Sequence, residues 1–321
     1  MANDNTINGK AFEFACLFAV REKLLEEKKD VELNSSSSYI TAQNAFLKLP
    51  EEDKKRYRAA AQTAVKLLFP LEPKLANGNG TIVLSIATDA IAQGPEGDVR
   101  DVLMIRITDK WEIGISCKHN HAALKHPRIT EAKDFGKDWL NIPCSNEFIA
   151  DMTKVIEPLK RLGESNIKWR DIENKQDLYY APILQAYINE LIRLCKDHED
   201  VPEKLLSYFF GSHDFYKVIM RESSQTTTIE GFNMHGTLNQ PAGKIKAMTR
   251  VAKINMPTRL IEAGFKSRSK TTIILIFDHG WSISMRLHNK DEIARPTSLA
   301  WDVNLTGMPP ETYKNTHSWN E

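Results

Sequence analysis

The chain has 321 residues, with 43 Lys and Arg against 42 Asp and Glu and a formal charge of +1. This length is sufficient for one elaborated domain or two closely packed lobes. The nearly balanced charge excludes a uniformly cationic protein, so binding to nucleic acid would require positive charge to be gathered on one face.

The cysteines and the hydropathy pattern indicate a compartment. Cys16, Cys117, Cys144 and Cys195 form no paired-spacing motif, as is typical of reduced thiols in a cytosolic protein. The amino terminus has no basic and then apolar leader, and no uncharged apolar run approaches the roughly 18 residues of a membrane span. We therefore expect a cytoplasmic protein with no membrane partner.

The first elements are helical. Residues 10–27 have an apolar helical periodicity, and the serine-rich residues 34–38 are a linker or a helix cap. A second helix is predicted to begin near residue 50, where acidic residues form its first turn, and to end before Pro70. The Asn-Gly-Asn-Gly sequence at 77–80 predicts a tight turn into a strand over 81–87.

A β-hairpin is predicted next. Residues 102–107 form a short apolar run, 108–110 a polar turn, and 111–118 an alternating strand. Its apolar face should join the core, which leaves Lys118 on the less buried face beside Ser116. Asp98 and Asp101 stand just before the first strand, so the hairpin should bring an acidic group to Lys118.

This layout is that of the PD-(D/E)xK magnesium nucleases. A phosphodiester is shielded by its own negative charge, and a carboxylate-bound Mg²⁺ with one fixed cation supplies both a polarised phosphorus and a nearby hydroxide. In that interpretation Asp101 binds the metal ion, and Lys118 lies beside the attacking water and the scissile phosphate.

The pattern departs from that of other such nucleases at Ser116, where an Asp or Glu is usual. Glu112 cannot replace it, because six residues of strand place it roughly 20 Å from Lys118 at ~3.3 Å per residue. Three acids remain as candidates for the second metal ligand: Asp98, Glu13 in the first helix and Glu131 after the hairpin.

The segment that follows Lys118 is rich in hydrogen-bond donors. Its donors are Asn120, His121, Lys125, His126 and Arg128. Such side chains contact DNA phosphates and base edges. Two other interpretations stay open: a solvated basic helix start, and metal binding by His119, His121 and His126, for which no cysteine or carboxylate completes a zinc-like spacing.

The second half of the chain is predicted to change from helices to strands. Residues 146–196 are mostly helical, and after Pro202 strands are predicted over 214–220, 226–232, 271–277 and 281–287. Residues 278–280 should form a hairpin turn between the last two strands. Close to the last strand are four candidates for DNA recognition: Arg286, His288, Asn289 and Lys290. Arginine suits guanine and asparagine suits adenine.

These elements predict an α/β fold with a mixed central sheet flanked by helices, a helical insertion and a β-rich carboxy-terminal DNA-recognition region. We expect the nuclease core to span residues 1–145, the insertion 146–200 and the recognition region 201–321.

Several segments resemble the HaeIII family of type II restriction endonucleases. They are residues 97–102, 112–121, 124–128, 134–139, 286–289 and 296–309, and the opening helix around Glu13 also fits. The resemblance implies a type II site-specific deoxyribonuclease that uses Mg²⁺ to cut double-stranded DNA at a short palindrome, GGCC in the namesake enzyme, and leaves 5′-phosphate ends. It further implies that the Cys117 carbonyl joins the metal site, that a cognate cytosine methyltransferase is a genetic partner, and that the enzyme could be a homodimer.

The residues alone permit two other classes of protein. One is a structure-specific repair or recombination nuclease with the same core. The other is a catalytically silent DNA-binding module, which the serine at position 116 makes plausible.

Overall fold

Two β-sheets form the framework of the fold. The computed structural model describes residues 4–88, 97–120, 124, 127–129 and 134–320. Within these residues the strands are β1 Val31–Leu33, β2 Ile82–Ile86, β3 Val102–Arg106, β4 Trp111–His119, β5 Phe215–Arg221, β6 Thr226–Phe232, β7 Leu260–Phe265, β8 Thr272–Phe277, β9 Ser282–Asn289, β10 Leu299–Gly307 and β11 Tyr313–Ser318.

The helices group at the start and in the middle of the chain. In the described residues they are α1 Asp4–Glu26, α2 Ser37–Leu47, α3 Glu51–Leu68, α4 Pro73–Asn77, α5 Asn146–Glu164, α6 Ala181–Asp197 and α7 Val201–Phe210. None of the helices in this part of the chain is both long and apolar enough to cross a membrane.

The larger sheet has seven strands in the order β1-β2-β3-β4-β5-β6-β11. The pairs β1–β2 and β4–β5 are parallel and the other pairs are antiparallel, so the sheet is mixed, as expected. Helices α1 and α3 pack on one face and share a hydrophobic core with it. The predicted α/β class is confirmed.

The hairpin β3–β4 forms where it was predicted. Val102 pairs with Ile115 and Arg106 with Trp111 across an antiparallel ladder. The apolar side chains of β4 are buried against the helices, because alternate residues of a strand face opposite sides of the sheet. The other face of β4 is less open than expected, since Ser116 is only 2% exposed.

The serine-rich segment is a helix cap. The Ser36 hydroxyl accepts a hydrogen bond from the Tyr39 backbone N–H and so begins α2, a helix that the sequence analysis did not predict. Helix α3 begins at Glu51 with three acids in its first turn, as expected, where they favour the positive end of the helix dipole.

The smaller sheet has the order β10-β9-β8-β7 and is antiparallel throughout. Its inner face, which includes Ile283, Met285 and Leu287, shares a second hydrophobic core with α5, α6 and α7. The 3₁₀ turn Asp278–Gly280 joins β8 to β9 where a hairpin turn was predicted.

The four strands predicted after Pro202 form as β5, β6, β8 and β9, and a further helix precedes them. Helix α7 begins at Val201, and Pro202 lies in its first turn, where a missing N–H costs no hydrogen bond. Strands β5, β6 and β11 then complete the larger sheet, while β7–β10 form the smaller one. The three-part division of the chain at residues 145 and 200 stays a prediction.

Leu124 and Ile129, which follow β4 in the chain, bond to the β10 edge of the smaller sheet. The Leu124 N–H donates to the Val303 carbonyl at 2.8 Å, and the Ile129 N–H donates to the Leu299 carbonyl at 3.0 Å. Because β4 ends at His119, only a few residues separate this strand from Leu124. The chain therefore connects the end of β4 in one sheet to the edge of the other.

Candidate active site

Asp101 is held by the backbone of both its neighbours in the sheet. Its N–H donates to the Ile115 carbonyl at 2.7 Å, and its carbonyl accepts from Ala87 at 2.9 Å. One carboxylate oxygen, Oδ2, accepts the Cys117 N–H at 2.7 Å and the Ser116 hydroxyl at 3.4 Å. Donors on strand β4, across the hairpin, therefore hold the Asp101 carboxylate in place.

Lys118 comes to the same place from β4. Its Nζ lies 4.0 Å from Asp101 Oδ2, and the two side chains are 21% and 26% exposed. An acid and a lysine, 17 positions apart in the chain, therefore meet at the surface, where a substrate can reach both.

Arg100 covers part of the same face of β4. It lies over Gly114, where an added Cβ would be 2.4 Å from the Arg100 Cδ. Its guanidinium donates to both oxygens of Asp98 and to Glu112. The carboxylate of Asp98, one candidate for the second metal ligand, is consequently already neutralised by a buried arginine.

Glu13 approaches the site from α1. It is buried and accepts a hydrogen bond from Lys10 at 3.1 Å. Burial raises the pKa of the Cys117 thiol well above its usual value, and a hydrogen bond with Cys16 and the charges of Asp101 and Glu13 add to this effect. Both carboxylates therefore lie close enough to Cys117 to act on it.

Other predicted residues of the site are only partly accounted for. His121, Lys125, His126 and Glu131 lie outside the described residues. Cys117 contributes its N–H to Asp101, and the role of its carbonyl stays a prediction.

Asn120 closes the turn after β4. Its side-chain oxygen accepts the Glu222 N–H at 3.0 Å, and its backbone has the left-handed φ of 58°. His119, considered as a metal ligand, instead contacts Glu222 through Nε2 and packs on the ring of Tyr57 with the centroids 5.3 Å apart.

The predicted recognition residues form a group on the outer side of β9 and β10, which we call the basic edge: Arg128, Arg286, His288, Asn289 and Lys290. Burial and then the charge of Arg286 lower the pKa of His288. Burial and then the charge of Arg128 lower the pKa of Lys290. Arg286 therefore acts on His288, and Arg128 acts on Lys290 although the two are far apart in the chain.

Acidic and amide contacts hold the basic edge in place. Arg286 pairs with Asp302 across the strands at 3.1 Å. Arg128 lies 3.7 Å from Asp291. Asn289 accepts from the Tyr180 hydroxyl and donates to the Asp291 carbonyl, so both ends of its amide are used within the protein.

Lys217 is a residue of the site region that the sequence analysis missed. It lies on β5, is 1% exposed, and pairs in register with Ser116. The signal that could have found it is a lysine inside the otherwise apolar run 215–220. Its proximity to the site arises from the parallel pairing of β4 with β5.

The donor set at Asp101 fits a magnesium ion. Mg²⁺ prefers oxygen ligands and is usually held by one or two carboxylates together with water and substrate phosphate. Asp101 offers a partly exposed carboxylate, and Ser116 adds a hydroxyl. In the described part of the chain no three His, Cys, Asp or Glu side chains converge as a complete cage.

A mixed sheet flanked by helices, with an aspartate just before β3 and a lysine on β4 meeting at its surface, is typical of nucleases with a restriction-endonuclease-like fold. Comparison with known proteins gives the particular family. A family model described as HaeIII restriction endonuclease matches residues 9–309. The chain is also 36% identical to the type II restriction enzyme HaeIII of Haemophilus aegyptius over the full length of both proteins.

The chain therefore belongs to the HaeIII restriction endonuclease family, and it is a type II site-specific deoxyribonuclease acting on double-stranded DNA. No solved structure matches it.

Proposed function

We propose that this enzyme uses Mg²⁺ to hydrolyse both strands of duplex DNA at a short palindrome, GGCC by its family resemblance, and leaves 5′-phosphate and 3′-hydroxyl ends. The observation that carries the proposal is the approach of Lys118 Nζ to Asp101 Oδ2, at 4.0 Å on the exposed side of the hairpin. This pair supplies one anion for a metal ion and one cation for the phosphate.

Each residue of the pair has a defined task. Asp101 binds Mg²⁺, which when present polarises the phosphodiester and lowers the pKa of a bound water. The Cys117 N–H keeps the Asp101 carboxylate in one orientation. Lys118 orients or deprotonates the attacking water and faces the scissile phosphate. The water oxygen bonds to phosphorus as the bond to the 3′ oxygen breaks, and the leaving oxygen takes a proton.

Glu13 is the second acid that the structure supports best. Its charge acts on Cys117, which is hydrogen-bonded to Asp101. Asp98 is a weaker candidate because Arg100 occupies both of its oxygens. Glu131 lies outside the described residues. We assign Glu13 to the metal site, in contact with the ion directly or through water.

The basic edge is the surface that we propose for DNA recognition. Its residues project from β9 and from the segment that leads away from the catalytic strand, so a duplex placed for cleavage passes over them. Arg286 is the best candidate to read a base, since an arginine fork matches guanine O6 and N7. Asn289 is less available because both ends of its amide are bonded.

The wider context of the enzyme follows from this chemistry. A palindrome presents the same sequence on both strands, which two copies related by a two-fold axis can cut symmetrically. We therefore propose a homodimer in the cytoplasm of a prokaryote, with a cognate cytosine methyltransferase that protects the host genome. Family membership favours this assignment over a repair nuclease and over a silent DNA-binding module.

Digestion of a plasmid with and without Mg²⁺ tests the proposal, with sequencing of the fragment ends. We expect discrete fragments with 5′-phosphates within one palindrome, only when Mg²⁺ is present. Lys118→Ala should lower the rate by about 100-fold or more while duplex binding persists, because the lysine acts on charge that develops in the transition state. Lys110→Ala, an exposed lysine in the turn of the same hairpin, is the matched control. Random fragmentation, or normal turnover by the Lys118 variant, would contradict the assignment.

A further inference from the structure

A buried lysine lies beside the active site. Lys217 is 1% exposed in the middle of β5. It pairs with Ser116 on one side and with Glu230 of β6 on the other. Paired residues face the same side of a sheet, as do residues two apart along a strand. The side chains of Lys217, Glu230 and Lys118 therefore share one face.

The charges on this face follow a fixed order. Across the sheet they are Lys118, Lys217, Glu230 and then Lys314, whose Nζ lies 3.0 Å from Glu230 Oε1. Burial lowers the pKa of Lys217 to about 8, Glu230 opposes that change, and the charges of Lys118 and Lys314 add to it. The ammonium of Lys217 thus stands between the catalytic lysine and a buried carboxylate.

Stability alone does not account for this arrangement. Removing an ammonium and a carboxylate from water costs several kcal/mol per ion, and replacing a buried ion pair with apolar residues is often neutral or stabilising. Lys217 has apolar neighbours along its strand, including Phe215 and Ile219, so a hydrophobic residue would suit its position. A buried lysine with a specific charged partner beside a catalytic group is a candidate for a functional role.

Glu230 would compete with Asp101 for Lys118 if Lys217 were absent. Two strand spacings place Glu230 about 10 Å from β4, within the combined reach of a lysine and a glutamate side chain. Glu230 is only 5% exposed, so its charge is weakly screened. At 4.0 Å the contact between Lys118 and Asp101 is loose enough to be lost to such a competitor.

We propose that Lys217 is a positioning residue for catalysis: its ammonium faces Glu230 from the strand between Glu230 and Lys118, and it keeps Lys118 directed at Asp101 and the scissile phosphate. This inference rests on the proposed function of Lys118. Like-charge repulsion between the two lysines acts in the same direction, since it disfavours any conformation in which Lys118 folds back across β5. Lys217 itself stays below the surface and does not touch the DNA.

The first test replaces Lys217 with methionine, which keeps the length and removes the charge. The rate of cleavage is measured in a single turnover with excess enzyme and Mg²⁺, on a plasmid carrying a site that the wild-type enzyme cuts. We expect the rate to fall by about 10-fold or more while the Kd for the same duplex without Mg²⁺ changes by less than about 3-fold. Lys110→Met removes an exposed lysine from the turn of the hairpin and is the matched control, with an unchanged rate.

The decisive test is a rescue. In Lys217→Met/Glu230→Gln the competing carboxylate is absent as well, so we expect the rate to return to within about 3-fold of wild type. Thermal unfolding of each variant reports on folding. If Lys217→Met does not fold, Lys217→Gln keeps a hydrogen-bonding group at the position and should show the same loss and the same rescue.

The outcomes separate this inference from the proposed function. A normal rate in Lys217→Met or Lys217→Gln, or a loss that Glu230→Gln does not repair in a folded double variant, would overturn the role of Lys217. If neither single variant folds, the double variant decides. A folded double variant that cuts slowly would overturn the role of Lys217, and a folded double variant that cuts at the normal rate would support it. In each case the proposed function stands if the wild-type enzyme cuts with Mg²⁺ and Lys118→Ala does not.

Discussion

Donors on strand β4 orient the Asp101 side chain, although Asp101 is not part of that strand. The Cys117 N–H on β4 bonds to its Oδ2 at 2.7 Å, although Asp101 itself precedes β3. A carboxylate fixed by a backbone donor loses little conformational freedom when it binds a cation, so the site is ordered in advance of the substrate. Ser116, where other such nucleases have an acid, adds a hydroxyl to the same oxygen.

At the residue scale, Glu13→Gln should weaken the use of Mg²⁺. A carboxylate beside the metal site attracts the cation, and the amide has no charge to replace it. We expect the cleavage rate to require about a 10-fold higher Mg²⁺ concentration for half-saturation, a loss typical of removing one ligand or its supporting partner. Titration of the rate with Mg²⁺ measures this. Glu22→Gln, an exposed acid on the same helix, is the control, and identical titration curves for both variants would remove Glu13 from the site.

At the scale of the element, the hairpin depends on a glycine. Arg100 crosses β4 at Gly114, where an added Cβ would lie 2.4 Å from the Arg100 Cδ and 2.7 Å from its Cβ. Arg100 can donate its hydrogen bonds to Asp98 and Glu112 only because Gly114 has no side chain in the space that the arginine occupies. The close contact of Arg100 with Gly114 also shapes the protein surface beside Asp101.

Gly114→Ala should therefore destabilise the protein. The Arg100 side chain has to move near its base, and overpacking of this kind costs about 1–3 kcal/mol. Urea unfolding measures the change. Gly264→Ala on β7 is the control because a Cβ there meets nothing within 4 Å. Equal stability of the two variants would contradict the packing described for Arg100.

A second element-scale prediction concerns Glu72, which joins the end of α3 to β5. It is fully buried, and its Oε1 accepts the Tyr216 hydroxyl and the Asn239 N–H. Burial raises its pKa from 4.5 to about 7. Because the folded-state value is the higher one, its contribution to stability is full below pH 4.5 and is lost as the pH rises through 7.

Glu72→Gln should remove this part of the pH dependence. At pH 8 the wild-type protein bears a cost of at most about 3 kcal/mol for a buried carboxylate, which the amide avoids. We expect the variant to be the more stable protein at pH 8 and the two to converge near pH 5. Urea unfolding from pH 5 to 8 measures the difference, and parallel stability curves would show that Glu72 does not titrate in this range.

At the scale of the whole molecule, the charged residues are unevenly distributed although the net charge is close to zero. The formal charge is +1, yet the basic edge gathers the three cations Arg128, Arg286 and Lys290 against the two acids Asp291 and Asp302. Contacts with phosphate release counterions, so affinity for DNA falls with salt according to the number of local contacts and not to the total charge.

Within the basic edge, some residues should therefore contribute to affinity for DNA and others to the choice of sequence. Arg128→Ala should weaken binding to all sequences alike and lower the salt slope by about one, as the loss of one phosphate contact does. Arg286→Ala should relax the choice at one base pair, at a cost of about 1–3 kcal/mol for the preferred site. Binding measured at several salt concentrations, with cleavage of single-mismatch sites, distinguishes the two.

Lys196→Ala is the control for both substitutions. Lys196 lines a cavity beside β7, at the edge of the smaller sheet away from β10. It should change neither the salt slope nor the choice of sequence. The opposite division, with Arg128→Ala altering which sequence is cut and Arg286→Ala leaving fidelity intact, would refute the assignment.

The sequence by itself determined the hairpin and the residues that the hairpin carries. Alternation of apolar residues and a polar turn are local signals, and they predicted β3, β4 and the meeting of Asp101 with Lys118. Local signals also predicted α3, β6 and the turn after β8. The family resemblance, confirmed over residues 9–309, came from short segments of the same kind.

Only the tertiary structure decided which groups surround that pair. The parallel pairing of β4 with β5 joins Ser116 to Lys217, residues that no local periodicity connects. Arg100 occupies Asp98, which the sequence could present only as a free acid near the site. Charge, burial and partner depend on contacts between distant parts of the chain. For that reason the meeting of Asp101 with Lys118 could be predicted from the sequence, but the charged groups around the pair could not.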